Sequence, residues 1–144
     1  MPYRYPEDTA IADVAIEVYD AESFEQALNE TIEAMIKLMA KIETIEGKIE
    51  KKIELEAENE ERLLLDCLEE IIFLKDAEGL IFKELRAKVK YFDGKIKAFL
   101  RGKADITDIN KHEIGMDIKA VTWHLLKVEK KENGKWYVFV ILDV

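Results

Sequence analysis

The chain reads as an α/β protein of the α+β kind, a two-layer sandwich with two helices packed on a mixed sheet of about six strands. Three observations predict it. Two stretches, opened at Ser23 and Asn59, repeat apolar residues at helical spacing. Other stretches alternate apolar and polar residues, the period of a strand with one buried face. Two dipeptides, Asp93-Gly94 and Asn133-Gly134, signal tight hairpins among those alternating runs. The expected order is strand, helix, strand, helix, then two hairpins, all in one domain, residues 1–144.

Residues 1–10 read as a short irregular lead-in, because Pro2 and Pro6 interrupt regular structure. Asp13 then starts a strand running to Tyr19, with Val14, Ile16 and Val18 on one face. Ser23 opens the first helix, and Gln26 stands at the capping-box spacing, so each side chain can satisfy the other residue's free N–H. Phe24, Leu28, Ile32, Met35, Ile36 and Met39 carry the apolar stripe to about Ala40, the methionines as core. Gly47 breaks the pattern. Ile49, Ile53, Leu55 and Ala57 share one parity, with Lys and Glu between them, which predicts a half-exposed strand near an edge.

Asn59 caps the second helix, with Glu60 and Glu61 in the first turn where the helix dipole favours them. Leu64, Leu68, Ile71 and Ile72 form its stripe, and Gly79 follows it. Leu85, Ala87, Val89 and Tyr91 alternate into Asp93-Gly94, so Tyr91 should face Ile96, Val89 face Ala98, and Ala87 face Leu100. Residues 104–117 read as polar and irregular, with His112 as an exposed loop histidine.

The composition is 49% hydrophobic and 37% charged, enough apolar material for a real core. The wealth of Lys, Glu and Ile suits a thermophile. No apolar run reaches the length of a membrane span and no leader opens the chain, so a cytoplasmic protein with no membrane partner is expected. The single cysteine, Cys67, excludes an internal disulfide and reads as inert core. A net charge of −9, with no basic patch interleaved with aromatics along the chain, argues against strong direct binding of nucleic acid. A cation or a basic protein partner fits better. Phosphate loops, nucleophile elbows and paired-cysteine zinc signatures are absent from the sequence, so carboxylates are the remaining source of chemistry.

The last stretch, Ile118 to Val144, organises the rest. A two-residue turn at Asn133-Gly134 would set Tyr137 opposite Lys130, Phe139 opposite Val128, Ile141 opposite Leu126 and Asp143 opposite His124. Trp136 to Leu142 is apolar on both parities, a strand buried on both faces. An acid facing an imidazole at its end is either a satisfied structural pair or part of a site.

The KAVTWH segment, Lys119 to His124, followed by a hairpin ending in ILDV, resembles the archease family. That family also carries an N-terminal H-T-A-D segment leading into a strand and an aromatic-Gly turn. Here Asp13 supplies the acid and ADVAIEVY fits the strand, but the His is missing in the ungapped register and Asp20 replaces the Gly. A gapped register would start the motif at Asp8-Thr9-Ala10. The resemblance implies a divalent metal site of Asp13, Asp143 and Val144, with hard oxygen ligands that suit Ca²⁺ ahead of Mg²⁺. His124 would orient Asp143, and His124 and Lys119 would face a partner. The resemblance further implies a non-enzymatic helper of the GTP-dependent tRNA-splicing RNA ligase, promoting its guanylylation and multiple turnover. The alternatives are a chaperone-like modulator of another tRNA-processing enzyme, such as a tRNA methyltransferase, and a metal-dependent hydrolase of a small substrate.

Overall fold

In a computed structural model of the chain, residues 3–6 and 13–144 are described. The possible motif start at Asp8-Thr9-Ala10, and Ile11 and Ala12 beside it, lie outside them. Seven strands and two α-helices follow one another among the described residues: β1 (Tyr3–Arg4), β2 (Asp13–Ala21), α1 (Phe24–Met39), β3 (Ile49–Ala57), α2 (Glu60–Glu78), β4 (Leu80–Phe92), β5 (Lys95–Ile106), β6 (Ala120–Lys130) and β7 (Trp136–Asp143). The α+β class and the two helices are as expected. The single mixed sheet is not. The strands form two sheets, ordered β1-β2-β7-β6 and β3-β5-β4, and every pairing is antiparallel.

Both helices touch both sheets. Helix α1 packs on β2 and β7 of the first sheet and on β4 of the second, while α2 packs on β6 and on β3, β4 and β5. This explains why α2 buries residues around so much of its circumference, including Leu63, Leu64, Leu65, Cys67 and Leu68. Burial pushes the Cys67 thiol up to about 12, so it stays an inert core residue. No helix among the described residues is long and apolar enough to cross a membrane.

The helix ends follow the sequence closely. Gln26 donates its N–H to the Ser23 hydroxyl, while its side-chain oxygen accepts from Glu22, one residue upstream of the expected partner. Asn59 accepts from the Arg62 N–H at 2.8 Å, and Gly79, left-handed at φ 66°, closes α2. Strand β3 is an edge strand with alternating burial, as expected. The short β1 lies within the region expected to be irregular, and pairs Tyr3 with Val18 and Arg4 with Glu17.

The two hairpins diverge. Asp93 and Gly94 both have positive φ, at 47° and 73°, and Tyr91–Ile96, Val89–Ala98 and Ala87–Leu100 pair as expected. At Asn133-Gly134 only Gly134 is left-handed, at φ 85°. Its N–H donates to the Lys131 carbonyl, and the Lys131 N–H donates to that of Lys135, so three residues form the loop. The register shifts by one: Lys130 faces Trp136, Glu129 faces Tyr137 and Val128 faces Val138.

Candidate functional site

Strand β7 lies between β2 and β6, and the ends of all three meet. Asp13 opens β2 and Asp143 closes β7, and the two are cross-strand partners. Ala120, at the start of β6, faces Asp143 from the other side, and the Lys119 N–H donates to the Asp143 carbonyl at 2.8 Å. Val14, Ile16, Val18, Val138, Val140 and Leu142 turn toward the core. Asp13 and Asp143 have the opposite parity, so they share the face turned away from the helices. Asp143 is exposed and Asp13 half-buried, while the Val144 side chain packs on the core and anchors the strand end.

Paired residues of this kind have Cα atoms about 4.5–5.5 Å apart. Two carboxylates held there repel unless positive charge lies between them. Among the described residues no group of three or more His, Cys, Asp or Glu side chains is placed to hold a metal. Two carboxylates plus main-chain oxygens suit an open site for a hard cation, not a closed soft-metal site.

His124 is not part of this arrangement. Between the pairs Thr122–Ile141 and Lys127–Phe139, strand β6 spends four residues, Trp123–Leu126, against the single Val140. The bulge is made possible by Leu125 in the left-handed region at φ 58°. Ala120, not His124, therefore faces Asp143, and His124 is exposed on the bulge. Trp123, 54% exposed, lies under the Arg62 guanidinium at 5.7 Å, and Leu125 is 59% exposed.

The model of the Archease protein family matches residues 3–144. The chain belongs to the archease family. "Protein archease" of Pyrococcus furiosus is 36% identical over 135 residues, spanning 92% of this chain and 93% of that one. Its counterpart in Methanopyrus kandleri is 34% identical over 146 residues, with both chains covered fully. The solution structure of protein 1598 of Methanobacterium thermoautotrophicum is similar over 99% of both chains, with a TM-score of 0.78 and 25% identity. The relatives come from thermophiles, in keeping with the charged composition.

Two further features of this archease-family chain depart from expectation. His112 is buried, 7% exposed. Its Nδ1 accepts from the Asp108 N–H at 3.0 Å, so Nε2 carries the proton and donates to Asp105 Oδ2 at 3.1 Å. Asp105 also accepts the consecutive N–H groups of Glu46, Gly47 and Lys48 at 2.8–2.9 Å. Burial alone would push its carboxyl up, but these donors outweigh it and hold it at about 2. With Nδ1 already occupied inside this network, His112 is a structural residue.

The second departure is a basic patch with aromatics, which the linear sequence hides. On the face of β3-β5-β4 turned away from the helices, Lys52, Arg101 and Arg86 stand side by side. The next row is Glu54, Phe99 and Lys88. These residues come from three strands at alternate positions, so no window of sequence contains them together.

Proposed function

We propose that this chain is a non-catalytic helper of the GTP-dependent tRNA-splicing RNA ligase, promoting ligase guanylylation and multiple turnover. The observation that carries the proposal is the pairing of Asp13 with Asp143 at coincident strand ends. Family membership over residues 3–144 supports the choice of partner. Asp13, Asp143 and a main-chain oxygen of Val144 would hold a divalent cation, Ca²⁺ ahead of Mg²⁺ because the open site imposes no octahedral cage. Such a cation supplies positive charge where phosphate groups must be organised.

The chain's own residues fix that corner. The Lys119 N–H holds the Asp143 carbonyl, and the buried Leu142 and half-buried Val144 anchor the strand on either side. The Lys119 side chain is exposed beside the paired acids, and the bulge carries Trp123 and His124 outward at the sheet edge, where a protein partner would meet them. The inert Cys67 thiol and the separation of His124 from Asp143 support a helper role over hydrolysis.

A ligase turnover assay tests this. Substoichiometric amounts should turn single turnover into multiple turnover, with no ligation by this chain alone. Asp13→Ala and Asp143→Ala should each abolish the effect while leaving the fold intact, and should remove Ca²⁺ binding in calorimetric titration. A peptide extension after Val144 should weaken that binding, and an N-terminal extension should weaken it less. Failure to stimulate a cognate ligase at any ratio removes the ligase reading, and unchanged Ca²⁺ affinity in Asp143→Ala removes the metal site.

A further inference from the structure

We propose that the outer face of the β3-β5-β4 sheet binds single-stranded nucleic acid through its phosphate backbone, with one base stacked on Phe99. This goes beyond the ligase reading and does not depend on it. Lys52 faces Arg101, and Arg101 faces Arg86, so three cations line up across adjacent strands. Strands lie about 4.8 Å apart, so the row spans roughly 10 Å. Like charges placed directly opposite destabilise a sheet.

The neighbouring acids do not relieve this row. Glu54 is taken by Lys97 at 2.9 Å and Glu56 by Lys95 at 3.4 Å. Glu50 and Glu84 flank Lys103 in the row beyond. Among the described residues, none of Lys52, Arg86 and Arg101 makes an ion pair. A row of cations with no direct ion pair, where Arg86 alone feels a more distant acid in Glu30 of α1, is a local feature on a chain of net charge −9, set against the overall charge.

The face is also shaped. The cations and Phe99 line a concave groove of about 730 Å³, with Glu50, Glu54 and Glu84 at its walls. Phe99 is 38% exposed on the central strand, and the ammonium groups of Lys90 and Lys97 lie 5.8 and 5.7 Å from its ring centroid. An open aromatic ring beside a cationic track is the combination that holds single strands, since every base offers a π-face and every linkage a phosphate. A duplex keeps its bases stacked inside and cannot use the ring.

Fluorescence anisotropy with a labelled single-stranded RNA of about 16 nucleotides, titrated with the full chain, tests this. Affinity should fall between about 50 and 200 mM salt, with a log–log slope of about −2 for three phosphate contacts. Arg101→Gln and, on the edge strand, Lys52→Gln should each weaken binding severalfold and reduce that slope by about 0.7. Lys127→Gln changes net charge equally on the other sheet and should leave affinity within about twofold. Phe99→Ala should weaken binding about tenfold without changing the slope. All four positions are exposed, and circular dichroism on each variant confirms that the fold is kept. Absence of binding at about 50 mM salt, or equal losses in Lys127→Gln and Arg101→Gln, overturns the proposal. So does a duplex that binds as tightly as the single strand. Displacement of the RNA by inorganic triphosphate with Phe99→Ala silent would overturn it in favour of a small polyphosphate. Displacement by polyglutamate at matched charge would overturn it in favour of an acidic protein.

Discussion

Asn29 is buried on α1, and its amide completes an unpaired stretch of β4. Its Nδ2 donates to the Ala87 carbonyl at 2.9 Å and to the Glu25 carbonyl at 3.0 Å, and its Oδ1 accepts the Ala87 N–H at 2.7 Å. Glu25 continues the pattern by accepting the Val89 N–H at 2.8 Å. Asn29→Ala would strand both Ala87 backbone groups, so a loss of about 2–4 kcal/mol is expected. It should appear as a lower urea midpoint at unchanged slope. Asp105 offers a prediction with a pH signature. Its native carboxyl, at about 2, lies below the ordinary 3.8, so its stabilisation is fully present above the ordinary value and fades as pH falls toward 2. Asp105→Asn should cost about 2 kcal/mol at neutral pH, the scale of hydrogen bonds to a charged group. Denaturation curves of the two proteins should converge as pH is lowered through that window. Neither residue announces itself in sequence. Asn29 sits at a stripe-adjacent helix position, and the partners of Asp105 lie up to 59 residues away.

Asp20 holds a left-handed turn inside an element. It adopts φ 78° where the pairing of β2 with β7 becomes irregular, between Tyr19 and Ala21. A left-handed backbone costs an L-residue about 1–2 kcal/mol that glycine avoids, although aspartate tolerates it better than most. Asp20→Gly should stabilise the chain by about 1 kcal/mol and raise the thermal midpoint by about 3 °C. Strand parity was legible in the sequence, as β3 and the Asp93-Gly94 hairpin demonstrate. Loop length was less so. A dipeptide that favours a two-residue turn also fits a three-residue loop needing only one left-handed residue, as Gly134 supplies. The bulge at Trp123–Leu126 then adds three residues to one strand, with no glycine or proline to mark it.

For the whole molecule, the two helices and their caps could be read from sequence, but the division into two sheets could not. The pairs that decide it are remote: β2 lies against β7, and β3 against β5 with a helix and a strand between them in the chain. Alternation says that a strand has one buried face and is silent on its neighbour. Asp13 and Asp143 were brought together beforehand only by family resemblance, and Lys52, Arg101 and Arg86 by nothing in the linear order. The sealing of β4 by Asn29 and Glu25 has a further consequence at this scale. An open strand edge is a template for another chain, and the second sheet has two edges to defend. On β4, α1 occupies hydrogen-bonding groups that an incoming strand would need. On β3, the alternating Lys and Glu side chains place charge along the exposed border. A protein so edged resists self-templated aggregation at high concentration and temperature, while its outer sheet faces stay open to other molecules.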